Sequence, residues 1–186
     1  MKKPNWKTCT EEDLWKFVAH HLAVNGISTI LVGGAVAAIY SKGAYKSGDL
    51  DIIVESLITD KIPQLMKKIG FKKGSGRHYI HPECSHIYVE FCLPPAAIGE
   101  DCAIKPSEIK IEGQVLKIYS ATDCIRDRLA SYIHFKAREC LDQAALVAKE
   151  QPFNSAKIKK WCESEGAPGA YKDFIEAVKS IRGATK

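Results

Sequence analysis

No run in these 186 residues approaches the roughly 20 consecutive apolar positions that a membrane-spanning helix needs, so no membrane partner is expected. The opening Met1-Lys2-Lys3-Pro4-Asn5-Trp6 lacks an apolar signal core, and a cytoplasmic location is expected. The cysteines, seven and therefore odd in number, include no CxxC pair. That pattern predicts reduced thiols, mostly buried as small apolar side chains, and argues against a disulfide framework. GxGxxG is absent, which weakens a dinucleotide-binding reading, and no local motif supports a Ser or Cys nucleophile. There is no internal repeat and no low-complexity tract. Net charge is also small. At +5, from 27 basic and 22 acidic residues, it permits a nucleic-acid partner without requiring one.

What is present reads as an ordinary globule, 46% apolar, of a length that suits one domain with a helical extension. Thr10-Glu11-Glu12-Asp13 is an N-cap with acids in the first turn. Leu14, Phe17, Val18, His21 and Leu22 continue that helix to Asn25-Gly26. A strand over Ile27 to Val32, a short helix over Ala35 to Tyr40 and a second strand over Asp49 to Glu55 follow. Thr59-Asp60 opens a helix ending at Gly70. Two strands are expected near Phe71 to Ile80 and His86 to Leu93, ended by Pro94-Pro95. After an irregular stretch, Ile109 to Ile111 and Val115 to Ile118 alternate like a hairpin. The rest is helical: one helix from Thr122-Asp123 to Phe135, another from Ala137 to Lys149, and two beyond Pro152 separated by Gly166 to Gly169. Strands early and helices late predict an α/β (α+β) fold, a mixed sheet flanked by helices, with residues 1–120 as the core and 121–186 as a C-terminal helical segment.

The chemistry concentrates in two places on this frame. Ile30-Leu31-Val32 runs straight into Gly33-Gly34, and a second strand opens with Asp49-Leu50-Asp51-Ile52. Strand side chains alternate with a period of two, so Asp49 and Asp51 share one face. Two such carboxylates repel unless a cation lies between or beside them, and Mg²⁺ or Mn²⁺ prefer oxygen ligands. The glycines let the backbone approach something bulky and offer N–H donors at a helix start, where phosphate binds. A third acid, Glu90, lies in the apolar-rich run His86-Ile87-Tyr88-Val89-Glu90-Phe91-Cys92, where an unpaired charge is hard to explain structurally.

The segment Leu31 to Val54 resembles the signature of the DNA polymerase β-like nucleotidyltransferase superfamily: an apolar residue, Gly-Gly or Gly-Ser, a variable stretch, then Asp-apolar-Asp-apolar. Ser47-Gly48 resembles the small polar residues that precede the first acid. The gap before Asp49 is slightly long, and Glu90 stands where Asp is commoner. The resemblance implies Mg²⁺ or Mn²⁺ held by Asp49, Asp51 and Glu90. It implies in-line attack of an acceptor on the α-phosphate of a nucleoside triphosphate, with the distal phosphates held near Gly33, Gly34 and Ser47. In the second half, Ser120-x-x-Asp123, Asp127-Arg128-Leu129-Ala130, Arg138 and Asp142 resemble the minimal nucleotidyltransferases of abortive-infection and toxin–antitoxin systems. There a helix lysine faces the nucleotide; Arg128 occupies its place and would hold phosphate by a fork of donors, while a salt-bridged helix face is the plainer reading of Asp127, Arg128, Arg138 and Asp142. This implies a tRNA, other RNA or protein acceptor and, for a toxin, a cognate antitoxin. The alternatives are an antibiotic- or small-molecule-modifying transferase and a non-catalytic binding module of the same fold.

Other residues have plainer readings. Lys67 to His78 holds five Lys/Arg and no acid, with glycines that suggest a mobile hairpin or loop, and reads as a solvated helix end and turn or as a phosphate or polynucleotide contact. His78, His81, Cys84 and His86 have spacings that zinc accepts, yet read as a polar turn between two strands. Glu55 reads as a solvated strand end.

Overall fold

The computed structural model describes residues 1–55 and 60–183. Helix α1 spans Glu11–Val24, capped as its sequence predicts: the Thr10 hydroxyl accepts from the Asp13 N–H at 3.2 Å, and the Asp13 carboxylate accepts from the Thr10 N–H at 3.0 Å. Strand β1 covers Thr29–Val32, helix α2 Gly33–Tyr40 and β2 Asp49–Val54. Helix α3 is Ile62–Lys68; Thr59, expected at its start, lies outside the described residues. The single strand expected over Phe71 to Ile80 is instead a hairpin, β3 Lys72–Lys73 and β4 His78–His81. The intervening Gly74-Ser75-Gly76-Arg77 turns the chain, with the Gly74 N–H bonded to His78 O and Gly76 at φ +60°, a conformation glycine adopts without strain. Strand β5 runs Cys84–Cys92, β6 Ser107–Ile111 and β7 Gln114–Ile118. Glu112 and Gly113, both at positive φ, make the tight β6–β7 turn.

Seven strands form one mixed sheet in the order β3-β4-β5-β2-β1-β7-β6. β1 is antiparallel to β2 and parallel to β7, and β2 is parallel to β5. Helix α1 packs on β1, β2 and β7 through Leu14, Val18 and Leu22, all withdrawn from solvent. The last four helices are α4 (Ala121–Phe135), α5 (Arg138–Glu150), α6 (Ser155–Ser164) and α7 (Pro168–Gly183). None of the described helices is long and apolar enough to cross a membrane.

Two compact units result. The first, residues 1–35, 46–96 and 106–118, contains the whole sheet. The second, residues 36–45, 97–105 and 119–186, gathers the four late helices around Ile125, Leu129, Leu141, Val147, Ile158 and Phe174. Each such side chain, fully buried, contributes about 1.5–3 kcal/mol of transfer free energy.

Candidate active site

Alternation along β2 leaves Leu50 and Ile52 fully buried and turns Asp49 and Asp51 to the half-open face. Strand β5 repeats the pattern, with Ile87, Val89 and Phe91 buried and Tyr88, Glu90 and Cys92 partly open. The parallel register joins the two sets, pairing Asp49 with Tyr88 and Asp51 with Glu90. Neighbouring strands lie about 4.8 Å apart, so three carboxylates meet on one face of adjacent central strands.

Asp49 is oriented by two hydroxyls. Ser47 donates to Oδ1 at 2.7 Å and Tyr88 donates to Oδ2 at 3.2 Å. Ser47 is in turn fixed by its N–H, which donates to Glu11 at 2.7 Å. Beside Asp51 lies Gly33, the first residue of α2, at φ +74°; a Cβ there would overlap Asp51 Oδ2. Only glycine lets the turn from β1 into α2 pass this close to the carboxylate. Gly34 follows in the first turn of α2, whose N–H groups have no partner within the helix. Glu90 accepts from Arg77 Nη2 at 2.8 Å and pairs with His78 Nε2 at 2.8 Å.

Neighbouring groups register this local negative field. The Tyr88 hydroxyl is pushed above its usual pKa by burial and then by Asp49, Asp51 and Glu90. The Cys92 thiol is pushed up to about 11, by burial first and then by Asp51 and Glu90. Tyr88 was missed in the sequence although strand periodicity places it with Glu90. Arg77 and His78 required the β4–β5 register, which sets His78 opposite Glu90.

The residues of the second-half pattern lie on α4, its N-cap and α5. Arg128 lies in the second unit, nearly buried, bonded through Nε and Nη2 to Asp127 and through Nη1 to Gln143 at 3.3 Å. Burial works against its charge, but Asp127 outweighs that and raises its pKa. Ser120 caps α4, accepting from the Asp123 N–H at 3.1 Å. Asp123 is a buried anchor, taking Arg126 at 2.8 Å and Lys157 at 2.7 Å. Arg138 and Asp142 line a cleft of about 450 Å³ with Asp173 and Glu176.

Glu55 is exposed just past the end of β2, as expected, and is also paired: Lys117 bonds it at 2.8 Å and Ser28 donates to it. Burial alone would raise its pKa, and those two donors hold it below the usual value. One plainer reading needs correction: His78, His81, Cys84 and His86 do not share one turn. The first two sit on β4 and the last two on β5; His78 serves Glu90, and His81 stacks on Trp6 with centroids 3.8 Å apart.

No protein-family profile matches the sequence, and no curated protein sequence matches it. Solved structures do. An antigenic nucleotidyltransferase-like protein from Paracoccidioides brasiliensis superposes with a TM-score of 0.60 at 17% identity, over 91% of this chain and 92% of that one. The antibiotic-resistance factor ANT(2'')-Ia in solution gives 0.51 at 10% identity, over 90% and 94% of the two chains. Its crystal structure with adenylyl-2''-tobramycin gives 0.50 at 11% identity, over 86% and 95%. At such identities the likeness speaks for architecture alone: this chain has the fold of the nucleotidyltransferase superfamily.

Proposed function

We propose that this protein is a metal-dependent nucleotidyltransferase that moves a nucleoside monophosphate from a nucleoside triphosphate to an acceptor. The observation that carries the reading is the β2–β5 register, which sets Asp51 opposite Glu90 with Asp49 two residues away on the same face. Three carboxylates with hydroxyl neighbours make a hard-oxygen donor set, which fits Mg²⁺ or Mn²⁺. Such ions, when bound, supply Lewis-acid stabilisation of the attacking and leaving oxygens.

The chain's own residues do the positioning. Asp49, fixed by Ser47 and Tyr88, and Asp51, against Gly33, present their oxygens without rearrangement of the strand. The first turn of α2 offers backbone donors to the distal phosphates. Glu90 is the third ligand, and its ion pair with Arg77 and hydrogen bond with His78 hold its carboxylate in place.

For the acceptor we favour RNA, with tRNA as the first substrate to try. The support is the acid-free basic run Lys67 to His78, whose Lys67, Lys68, Lys72, Lys73 and Arg77 are all exposed. The second reading is a small cationic acceptor, since ANT(2'')-Ia, of similar fold, was solved with adenylyl-2''-tobramycin. The test is incubation with each α-labelled nucleoside triphosphate and Mg²⁺ or Mn²⁺, in separate reactions with total RNA, cell lysate and an aminoglycoside. Labelled RNA is the expected product. Label only on the aminoglycoside, or only on a lysate protein, reassigns the acceptor, and no label in any reaction leaves a nucleotide-binding module.

A further inference from the structure

The Mg²⁺-type carboxylates are not the only set of ligand atoms that β5 carries. At its opposite end, Cys84 Sγ lies 3.7 Å from Cys9 Sγ and 3.8 Å from His86 Nδ1. The three ligand atoms all fall within 4.8 Å of one another. Cys9 belongs to the segment just before the α1 cap, 75 residues away in sequence from Cys84. We propose that Cys9, Cys84 and His86 form a site for one thiophilic divalent cation, with Zn²⁺ as the natural occupant.

Geometry comes first. Tetrahedral zinc with Zn–S of about 2.3 Å and Zn–N of about 2.0–2.1 Å separates two sulfurs by about 3.8 Å and a sulfur from a nitrogen by about 3.6 Å. The two edges that meet at Cys84 match these within about 0.2 Å, and the third, from Cys9 Sγ to His86 Nδ1, is within 4.8 Å, so a cation would draw the Cys9 and His86 side chains together.

The imidazole is also set for the task. His86 Nε2 lies 2.9 Å from Cys9 O, and a carbonyl can only accept, so Nε2 carries the proton. In the neutral ring that leaves the Nδ1 lone pair directed at Cys84 Sγ. A metal-bound histidine is held in the same way, by a backbone carbonyl on its other nitrogen.

The sulfurs are otherwise poorly used. Both cysteines are buried, and besides each other and His86 their contacts are long ones, Cys9 to Trp6 O and Cys84 to Ile87 O, each at 3.7 Å. Coordination replaces these weak contacts with two metal–thiolate bonds and releases two thiol protons to solvent.

The segment that brings Cys9 here is braced independently of any metal. Trp6 stacks on His81 and meets Phe17 and Phe71 edge-on, while the Cys9 N–H donates to Asn5 O at 2.8 Å. Access comes from a cleft of about 590 Å³ lined by Cys9, His86, Lys46, Ser47 and Gly48. Three protein ligands would leave a fourth tetrahedral position for water. Occupancy would tie the approach to α1 onto β5, the strand that carries Glu90.

The test uses the full chain, reduced, stripped with a chelator and titrated with Co²⁺ and then Zn²⁺. The expected result is a thiolate-to-cobalt charge-transfer band that saturates at one equivalent and is bleached by Zn²⁺. Cobalt on Asp49 and Asp51 produces no such band. Cys9→Ser and Cys84→Ser lose it, while Cys102→Ser, which changes an exposed thiol, keeps it. His86 is exposed, so His86→Ala folds and binds at least about tenfold more weakly. Circular dichroism melting confirms that each variant is folded. Three results overturn the proposal: no band in the reduced protein, a band unchanged in folded Cys9→Ser and His86→Ala, or a Cys9–Cys84 disulfide whose reduction restores no metal binding.

Discussion

The two units use carboxylates in opposite ways. In the second, Asp101, Arg126, Asp123 and Lys157 alternate in sign: Arg126 reaches Asp101 at 2.5 Å and Asp123 at 2.8 Å, and Lys157 reaches Asp123 at 2.7 Å. Arg126 and Asp123 are each only 1% exposed, and the guanidinium lies over Trp161, 5.5 Å from the ring centroid. In the first unit Asp49, Asp51 and Glu90 stand beside one another on a half-open strand face, with Arg77 and His78 bonded to Glu90 at its edge. Interleaved buried charge serves to hold helices in register. Carboxylates gathered side by side at an open face cost stability, which is the reason for proposing that they bind a cation.

The largest effect that separates the two is on catalysis. If the proposed function holds, Asp51→Asn is expected to lower nucleotide transfer about a thousandfold or more, since loss of an oxygen proposed to hold the metal would remove several kcal/mol of transition-state stabilisation. Its melting temperature should hold or rise, because one of three crowded charges is gone. Transfer that survives in the variant would sink the three-acid site.

Arg126→Ala reverses the pattern. It removes one of the two cations on buried Asp123 and leaves Lys157 alone to hold it, so the loss is at most the about 3–5 kcal/mol of breaking a buried pair from one side. Denaturant unfolding should show that loss, while nucleotide binding by the folded fraction is unchanged. The same cluster predicts acid sensitivity. Burial alone would raise the pKa of Asp123, but Lys157, Ser120 and Arg126 outweigh it and hold the group below its ordinary value of 3.8. The unfolded carboxyl therefore protonates first as pH falls. Stability from Asp123 is complete above the ordinary value and drains as pH drops through the depressed one. Asp123→Asn should flatten that acid limb; an unchanged limb would mean that other carboxylates set it.

A third substitution sits between chemistry and folding. Gly33→Ala forces an L-residue into φ +74° and drives its Cβ into Asp51 Oδ2. The backbone cost alone is about 1–3 kcal/mol. Both melting temperature and transfer should fall, with transfer falling further because Asp51 is displaced. Equal activity in the variant would show that Asp51 can move without consequence.

How far the sequence reveals this contrast depends on how local each interaction is. Thr10 with Asp13, and the alternation Asp49-Leu50-Asp51-Ile52, are contained within a few residues and were legible directly. That Glu90 stands opposite Asp51 is a matter of strand order. No periodicity dictates that β5 rather than β4 adjoins β2, and the family resemblance supplied it. Ser120 and Asp123 were legible as a pattern but not as a role. The partners that make Asp123 an anchor lie 3 residues away at Arg126 and 34 away at Lys157, and only tertiary packing unites them. The split of Phe71 to Ile80 into two strands is a different case. Its apolar and aromatic content reads as one strand, while Gly74 and Gly76, which also suggest a hairpin, impose the turn that decides it. The Cys9–Cys84 approach, bridging 75 residues, has no local signature at all.

The smallest expected effect concerns charges that belong to neither cluster. Lys72 and Lys73, the two residues of β3, are exposed and lie in the run proposed to meet RNA. Arg77 belongs to the same run, but it pairs with Glu90, so replacing it would disturb the acid site and the surface together. The lysine pair isolates the surface. Each lysine that contacts phosphate releases condensed counterions, and the dependence of log K on log salt steepens by about 0.7–0.9 per contact. Lys72→Ala/Lys73→Ala should therefore weaken RNA binding severalfold at low salt and reduce the slope by about 1.4–1.8 for two contacts. Metal-dependent nucleotide binding and melting temperature should stay as in the wild type, because neither side chain is buried. Filter binding of tRNA across a salt series measures the slope. If wild type and double variant show the same slope, β3 is not the polynucleotide surface, and the acceptor must be sought among proteins or small cations.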